Sequence, residues 1–166
     1  MEQSVCMRVI PLIAASLLIL LASTPKQAIA APPSPIRPLP RVDVTLKGYR
    51  FVAEAATTND SRAYGLMNRS RLDSHRAMLF VFRHAAPRWF WMKDTKIALD
   101  MLFFDAQRKL VSMQLDATPC TSDPCAIYPS DKPAKYVLEI AAGVARQIGV
   151  RQGSQLRIKG DYGEVQ

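Results

Sequence analysis

One stretch of the chain carries the groups from which a site would be built. Arg88 to Asp105 reads RWFWMKDTKIALDMLFFD and contains Trp91, Lys93, Asp94 and Asp100. Two carboxylates close together are the minimum set for acid/base work, one giving a proton while the other takes one. Asp100 and Asp94 are therefore the catalytic candidates. A lysine near a tryptophan suits recognition instead, because the ammonium orients an anionic group and the indole supplies apolar contact. Arg69, Trp91, Lys93, Asp100 and Tyr128 are the ligand-binding candidates. The competing explanation is structural. Polar residues at loop ends commonly satisfy backbone groups, so Asp100 and Thr95 would bond loop amides and Lys93 would neutralise a carboxylate.

Either chemistry needs the stretch to fold back on itself. Trp89–Met92 and Met101–Phe104 are short, aromatic and apolar, which suits strands better than helices. The polar segment between them predicts an antiparallel hairpin. Alternation sets Trp89, Trp91 and Lys93 on one face and Phe90, Met92 and Asp94 on the other. A register placing Lys93 opposite Asp100 would make an ion pair beside Trp91.

The surrounding elements follow from pattern. VDVTL (42–46), Gly48 and Tyr49–Ala55 predict a first hairpin. Thr58 is placed to cap a helix running to about Met67, with Gly65 inside it. Asn68–Arg76 is a basic loop, and MLFVF (78–82) reads as a strand buried on both faces. Leu110–Leu115 and Tyr136–Ile140 are further strands, separated by a long loop from Asp116 to Pro133 that holds four prolines and two cysteines. Ala141–Ile148 is a short helix ended by Gly149, and Gln155–Ile158 a last strand. The expected fold class is α+β: a compact, mainly antiparallel, β-barrel-like sheet of about eight strands with two short helices.

The start of the chain predicts export. Arg8 precedes an apolar run of about 14 residues, short against the roughly 20 of a membrane span. Ala28-Ile29-Ala30 follows, the small-x-small pattern of a cleavage site. Residues 1–30 are read as a signal peptide cleaved after Ala30, leaving no transmembrane anchor and a periplasmic or secreted product. Residues 31–41 are a proline-rich linker, 42–160 a single globular domain and 161–166 a tail.

Removing residues 1–30 leaves 20 Lys+Arg against 13 Asp+Glu. The excess is concentrated between Arg62 and Lys96, which holds eight basic residues and only Asp73 and Asp94. A local positive field attracts anionic partners, here an anionic envelope component or an acidic protein. No nucleic-acid motif accompanies it, so nucleic acid is not an expected partner.

Cys120 and Cys125 survive cleavage, and in an oxidising compartment a C-x-x-x-x-C pair is expected to close a small disulfide. Metal binding would need a second ligand pair, and redox chemistry more usually uses two intervening residues. The sequence has no glycine-rich phosphate loop, H-E-x-x-H, G-x-S-x-G or paired C-x-x-C. Neither a metal nor a cofactor is expected.

Several motifs occur in a fixed order: GLMNRSRL (65–72), MLFVF (78–82), FWMKDTKIALDMLF (90–103), PC…C (119–125), AKYVLEIAAG (134–143) and the closing G-V-x-x-G (149–153). Together they resemble the domain of unknown function 192 family, over about residues 42–160. The resemblance implies a small β-rich domain and no particular activity. The family usually has Gly, Asn and Pro where this chain has Ala77, Asp94 and Ala98; Asp94 adds a negative charge beside Lys93.

The sequence thus favours an exported cell-envelope accessory or binding domain that recognises an anionic ligand or partner at a basic and aromatic site. One alternative is a carboxylate-dependent hydrolase acting on an envelope polymer. The other is a structural module that binds a protein partner without a pocket.

Overall fold

A computed structural model of the chain describes residues 38–166. The signal peptide and residues 31–37 of the proline-rich linker lie outside the described residues.

Seven strands form one sheet. In chain order they are β1 (Arg41–Leu46), β2 (Tyr49–Ala56), β3 (Arg76–Ala86), β5 (Leu99–Phe104), β6 (Leu110–Ala117), β8 (Ala134–Ala141) and β9 (Leu156–Lys159). Two short strands, β4 (Trp89–Trp91) and β7 (Ile127–Pro129), form a separate ribbon. The helices are α1 (Asn59–Tyr64) and α2 (Val144–Gln147). The large sheet runs β6-β5-β8-β3-β2-β1-β9. Among the described residues only β2 and β3 pair in parallel, because α1 carries the chain across between them; the other neighbours are antiparallel.

The fold is α+β and barrel-like, although the sheet does not close as a continuous ladder. Its two edges meet at one end. Lys109 bridges Gln155, the Leu110 amide donates to the Ser154 carbonyl at 2.9 Å, and the Leu156 amide donates to the Arg108 carbonyl at 2.9 Å. Those bonds use edge groups that would otherwise invite another strand.

Alternation divides the apolar residues between two faces. All seven strands contribute to the first core, among them Val44, Phe51, Leu79, Leu102, Leu110, Leu138 and Leu156. The second core is smaller. It gathers Met78, Phe80, Met101, Phe103 and Val137 from the central strands, with Leu66 and Met92 from the connections above them. The strand from Met78 to Val81 is buried on both faces, as its unbroken apolar run predicts.

The expected central hairpin does not form. Trp89–Trp91 pairs with Ile127–Pro129, whereas Leu99–Phe104 enters the main sheet between β6 and β8. A three-residue strand with both tryptophans exposed cannot join a sheet whose central strands are buried on both faces. Within the loop expected from Asp116 to Pro133, Ile127–Pro129 supplies the partner strand that the sequence pattern does not reveal, raising the count to nine among the described residues. Helix α1 is also shorter than expected. Thr58 and Ser61 form the capping box, and Gly65, at φ 50° and ψ −130°, ends the helix where the sequence placed it inside.

Candidate functional site

Residues Met92–Thr95 turn the chain from the ribbon back toward the sheet. The Thr95 amide donates to the Met92 carbonyl at 3.2 Å, and Asp94 has φ 53°. A positive φ at the third position of such a turn favours Gly, Asn or Asp over bulkier residues. The Asp94 carbonyl also accepts the Asn68 amide at 2.8 Å, tying this turn to the connection after α1. Asp94 thus has a backbone role, and its side chain is exposed.

This tie closes one side of a narrow cleft over the second core. Its walls include Gly65, Leu66 and Met67 after α1, Phe80 of β3, and Phe90 and Trp91 of β4. Lys93, half-buried, stands at its mouth, while Thr95 and Glu139 of β8 line it from buried positions. The Lys93 Nζ is 5.6 Å from the centre of the Trp91 ring, within reach of a cation–π contact. Phe90 meets Phe80 and Phe103 edge to face, at 5.0 and 5.7 Å between ring centres, which fixes the ribbon on the sheet.

Glu139 is the site residue that the sequence pattern did not single out. It stands between Met78 and Met101 on the neighbouring strands. Its side chain is 4% exposed. Burial disfavours the charged form and pushes its pKa up to about 8. The signal was present: an acid inside the apolar run YVLEI, in a strand buried on both faces.

The other candidates scatter. Arg69 is joined to Glu54 of β2 by two bonds, Nη1 to Oε1 at 2.9 Å and Nη2 to Oε2 at 2.5 Å. That hydrogen bonding lowers the Glu54 pKa and raises that of Arg69. Asp100 is fully buried on the opposite face of the sheet. Its oxygens accept the Asp116 amide and the Ala145 amide in α2, each at 3.0 Å. No Lys93–Asp100 salt bridge occurs among the described residues. Tyr128 pairs opposite Phe90 and lines a second hollow of about 200 Å³, walled by Met92, Cys120, Pro124 and neighbouring loop residues. Cys120 and Cys125 are joined by a disulfide. Of the five ligand-binding candidates, Trp91 and Lys93 share a cleft, Tyr128 lines a separate hollow, and Arg69 and Asp100 are engaged elsewhere.

Fold and cleft together define a small α+β, barrel-like domain with an aromatic and basic cleft over a buried acid. The chain belongs to the DUF192 family, described as "Uncharacterized ACR", whose profile matches residues 42–158. Two crystal structures resemble it closely. One is a candidate transcription regulator from Sinorhizobium meliloti 1021, 32% identical, with a TM-score of 0.67, covering 72% of this chain and 95% of that one. The other is a protein of unknown function from Novosphingobium aromaticivorans DSM 12444, 31% identical, with a TM-score of 0.68, covering 77% of this chain and 94% of that one. No curated protein matches.

Proposed function

We propose that this chain is an exported accessory domain that binds an anionic ligand at the cleft between Trp91 and Lys93. The observation that carries the reading is that these two residues line one cleft. The ammonium supplies charge at its mouth, and the aromatic walls supply apolar contact. Export rests on the Arg8, apolar and Ala28-Ile29-Ala30 pattern, and the Cys120–Cys125 disulfide suits an oxidising compartment.

The exposed ribbon favours a second reading, docking to a protein partner. Trp89 is 68% exposed and Trp91 47%, and Ile127 opposite Trp91 is exposed as well. A regulator role, as the Sinorhizobium protein's description suggests, draws less support. The described helices are six and four residues long, too short for a recognition helix in a major groove.

The test is a thermal-shift screen of the oxidised protein against envelope saccharides, peptides and anionic lipids. A ligand at 100 times its Kd stabilises by about 2.7 kcal/mol, a midpoint rise of roughly 8 °C for a domain of this size. The reading predicts a hit that is lost in Lys93→Ala and Trp91→Ala. A blank panel counts against a pocket and turns the search to protein partners at the ribbon.

A further inference from the structure

Glu139 makes the cleft more specific than a basic and aromatic surface. Among the described residues, no hydrogen bond or salt bridge involves its carboxyl. Its oxygens are not sealed off but open toward the cleft. With its pKa near 8, the group keeps its proton at neutral pH. A protonated carboxyl has one O–H to donate, and leaving such a donor unmade in a buried place is costly. The free space is about 30 Å³, enough for the centres of one or two waters or for the tip of a small group.

The rest of the cleft narrows the chemistry of that group. Lys93 brings a positive charge to the mouth, while Leu66, Phe80 and Phe90 offer only apolar surface. Arg62 is turned away from ligand duty, its Nη1 donating to the carbonyls of Thr57 and Val81 at 2.6 and 3.0 Å. A fitting end-group therefore needs an acceptor oxygen for the floor, a negative charge for the mouth, and small size. A planar carboxylate has all three.

We propose that the cleft receives the carboxylate end of its ligand, with the Glu139 carboxyl donating to one carboxylate oxygen and Lys93 facing the other. This rests on the Trp91–Lys93 cleft being the ligand site and names the class of ligand. Binding is then linked to the proton on Glu139. The charged and titratable groups that face it are Arg62 and Tyr64 from α1 and Lys93 from the turn, with the Glu54–Arg69 pair two strands away in its own row. Asp94 follows Lys93 and is exposed.

The experiment measures binding of phenylacetate, N-acetylphenylalanine and glucuronate at pH 7 and pH 9 by calorimetry. These stand for a free aromatic acid, a peptide carboxy-terminus and a sugar acid, so their order of affinity tells the sources apart. Benzamidinium is the counter-probe. We expect at least one carboxylate to bind at pH 7 and to weaken about tenfold by pH 9, as a group of pKa about 8 loses its proton. Glu139→Gln keeps an N–H donor, so it retains binding and loses the pH dependence. Lys93→Met weakens binding at both pH values. An infrared band of the protonated Glu139 carboxyl that shifts on adding the probe supports the same contact in the unmutated protein, whatever the fate of the variant.

Carboxylate binding that is indifferent to pH and to Glu139→Gln overturns the inference. If it still falls in Lys93→Met, the broader reading of the cleft survives. Tighter binding of benzamidinium as pH rises also overturns it, by making Glu139 an acceptor for cations. Failure of every carboxylate overturns the inference, and the broader reading of the cleft is then decided by the anionic lipids and saccharides of the thermal-shift panel.

Discussion

Asp100 and Glu139 sit one residue out of step across the β5–β8 ladder, Asp100 opposite Ile140 and Glu139 opposite Met101. Their carboxyls therefore emerge on opposite faces of one sheet. Both are buried. Asp100 is held by two backbone amides, whereas Glu139 lines a cleft and has no hydrogen-bond partner among the described residues. The same side-chain chemistry gives a structural clamp on one face and an available acid on the other.

Removing the clamp should cost stability. Asp100→Ala leaves the Asp116 and Ala145 amides without their acceptor. Two lost bonds of this kind amount to about 3 kcal/mol, a fall in Tm of roughly 10 °C. Asp100→Asn keeps one acceptor oxygen and should lose less. Thermal unfolding followed by circular dichroism checks this. A variant with unchanged Tm and impaired ligand binding or turnover would return Asp100 to the site.

Glu139 should make stability fall as pH rises. Its pKa is raised from 4.5 in an unperturbed chain to about 8 in the fold. Between those values the folded state holds a proton that the unfolded state has released, so each pH unit costs about 1.4 kcal/mol. The penalty is absent below 4.5 and stops growing above 8. Glu139→Gln cannot ionise and should be the more stable protein at pH 8, with the two converging toward pH 4.5. Urea unfolding of both proteins from pH 5 to pH 9 measures the difference. Parallel pH profiles would mean that Glu139 titrates normally.

The sequence was most informative where periodicity met a one-sided or fully buried strand. VDVTL and MLFVF lie in the expected strands because alternation and unbroken burial leave few other arrangements for such runs. Thr58 was readable as a cap because the signal is local. The central hairpin was not, because strand partners are chosen by tertiary packing: Trp89–Trp91 fits Ile127–Pro129 across a loop that carries almost no strand signal. The candidate site fared similarly. Trp91 ends β4 and Lys93 stands two residues on in the following turn, so their meeting was legible. Glu139 comes from a strand more than forty residues later, and only the sheet order brings it beneath them.

Gly65 shapes the cleft through its backbone. Its φ of 50° and ψ of −130° favour glycine, and an added Cβ would stand 3.4 Å from Phe80 Cζ. Gly65→Ala should therefore destabilise by about 1–2 kcal/mol and shift the connection that walls the cleft. Equilibrium unfolding tests the first effect. The second should appear as altered NMR shifts at Leu66, Phe90 and Lys93 with little change in β1 and β9. Equal stability with unchanged shifts would show that the connection relaxes freely.

The Cys120–Cys125 bridge closes a short loop, so it should act locally. Chain entropy assigns such a closure about 2 kcal/mol at most. The loop touches the rest of the fold where the Cys120 amide donates to the Met92 carbonyl at 3.4 Å and where Cys120 and Tyr128 wall the same hollow. Reduction should therefore loosen Thr118 to Tyr128 and the ribbon strand paired with them, while the first core stays closed. Hydrogen exchange before and after reduction separates these regions. Faster exchange confined to the loop and to β4 and β7 fits a local staple. A matching loss of protection in β3 and β8 would mean that the bridge supports the whole sheet, and reduced protein should then fail to bind any ligand of the cleft.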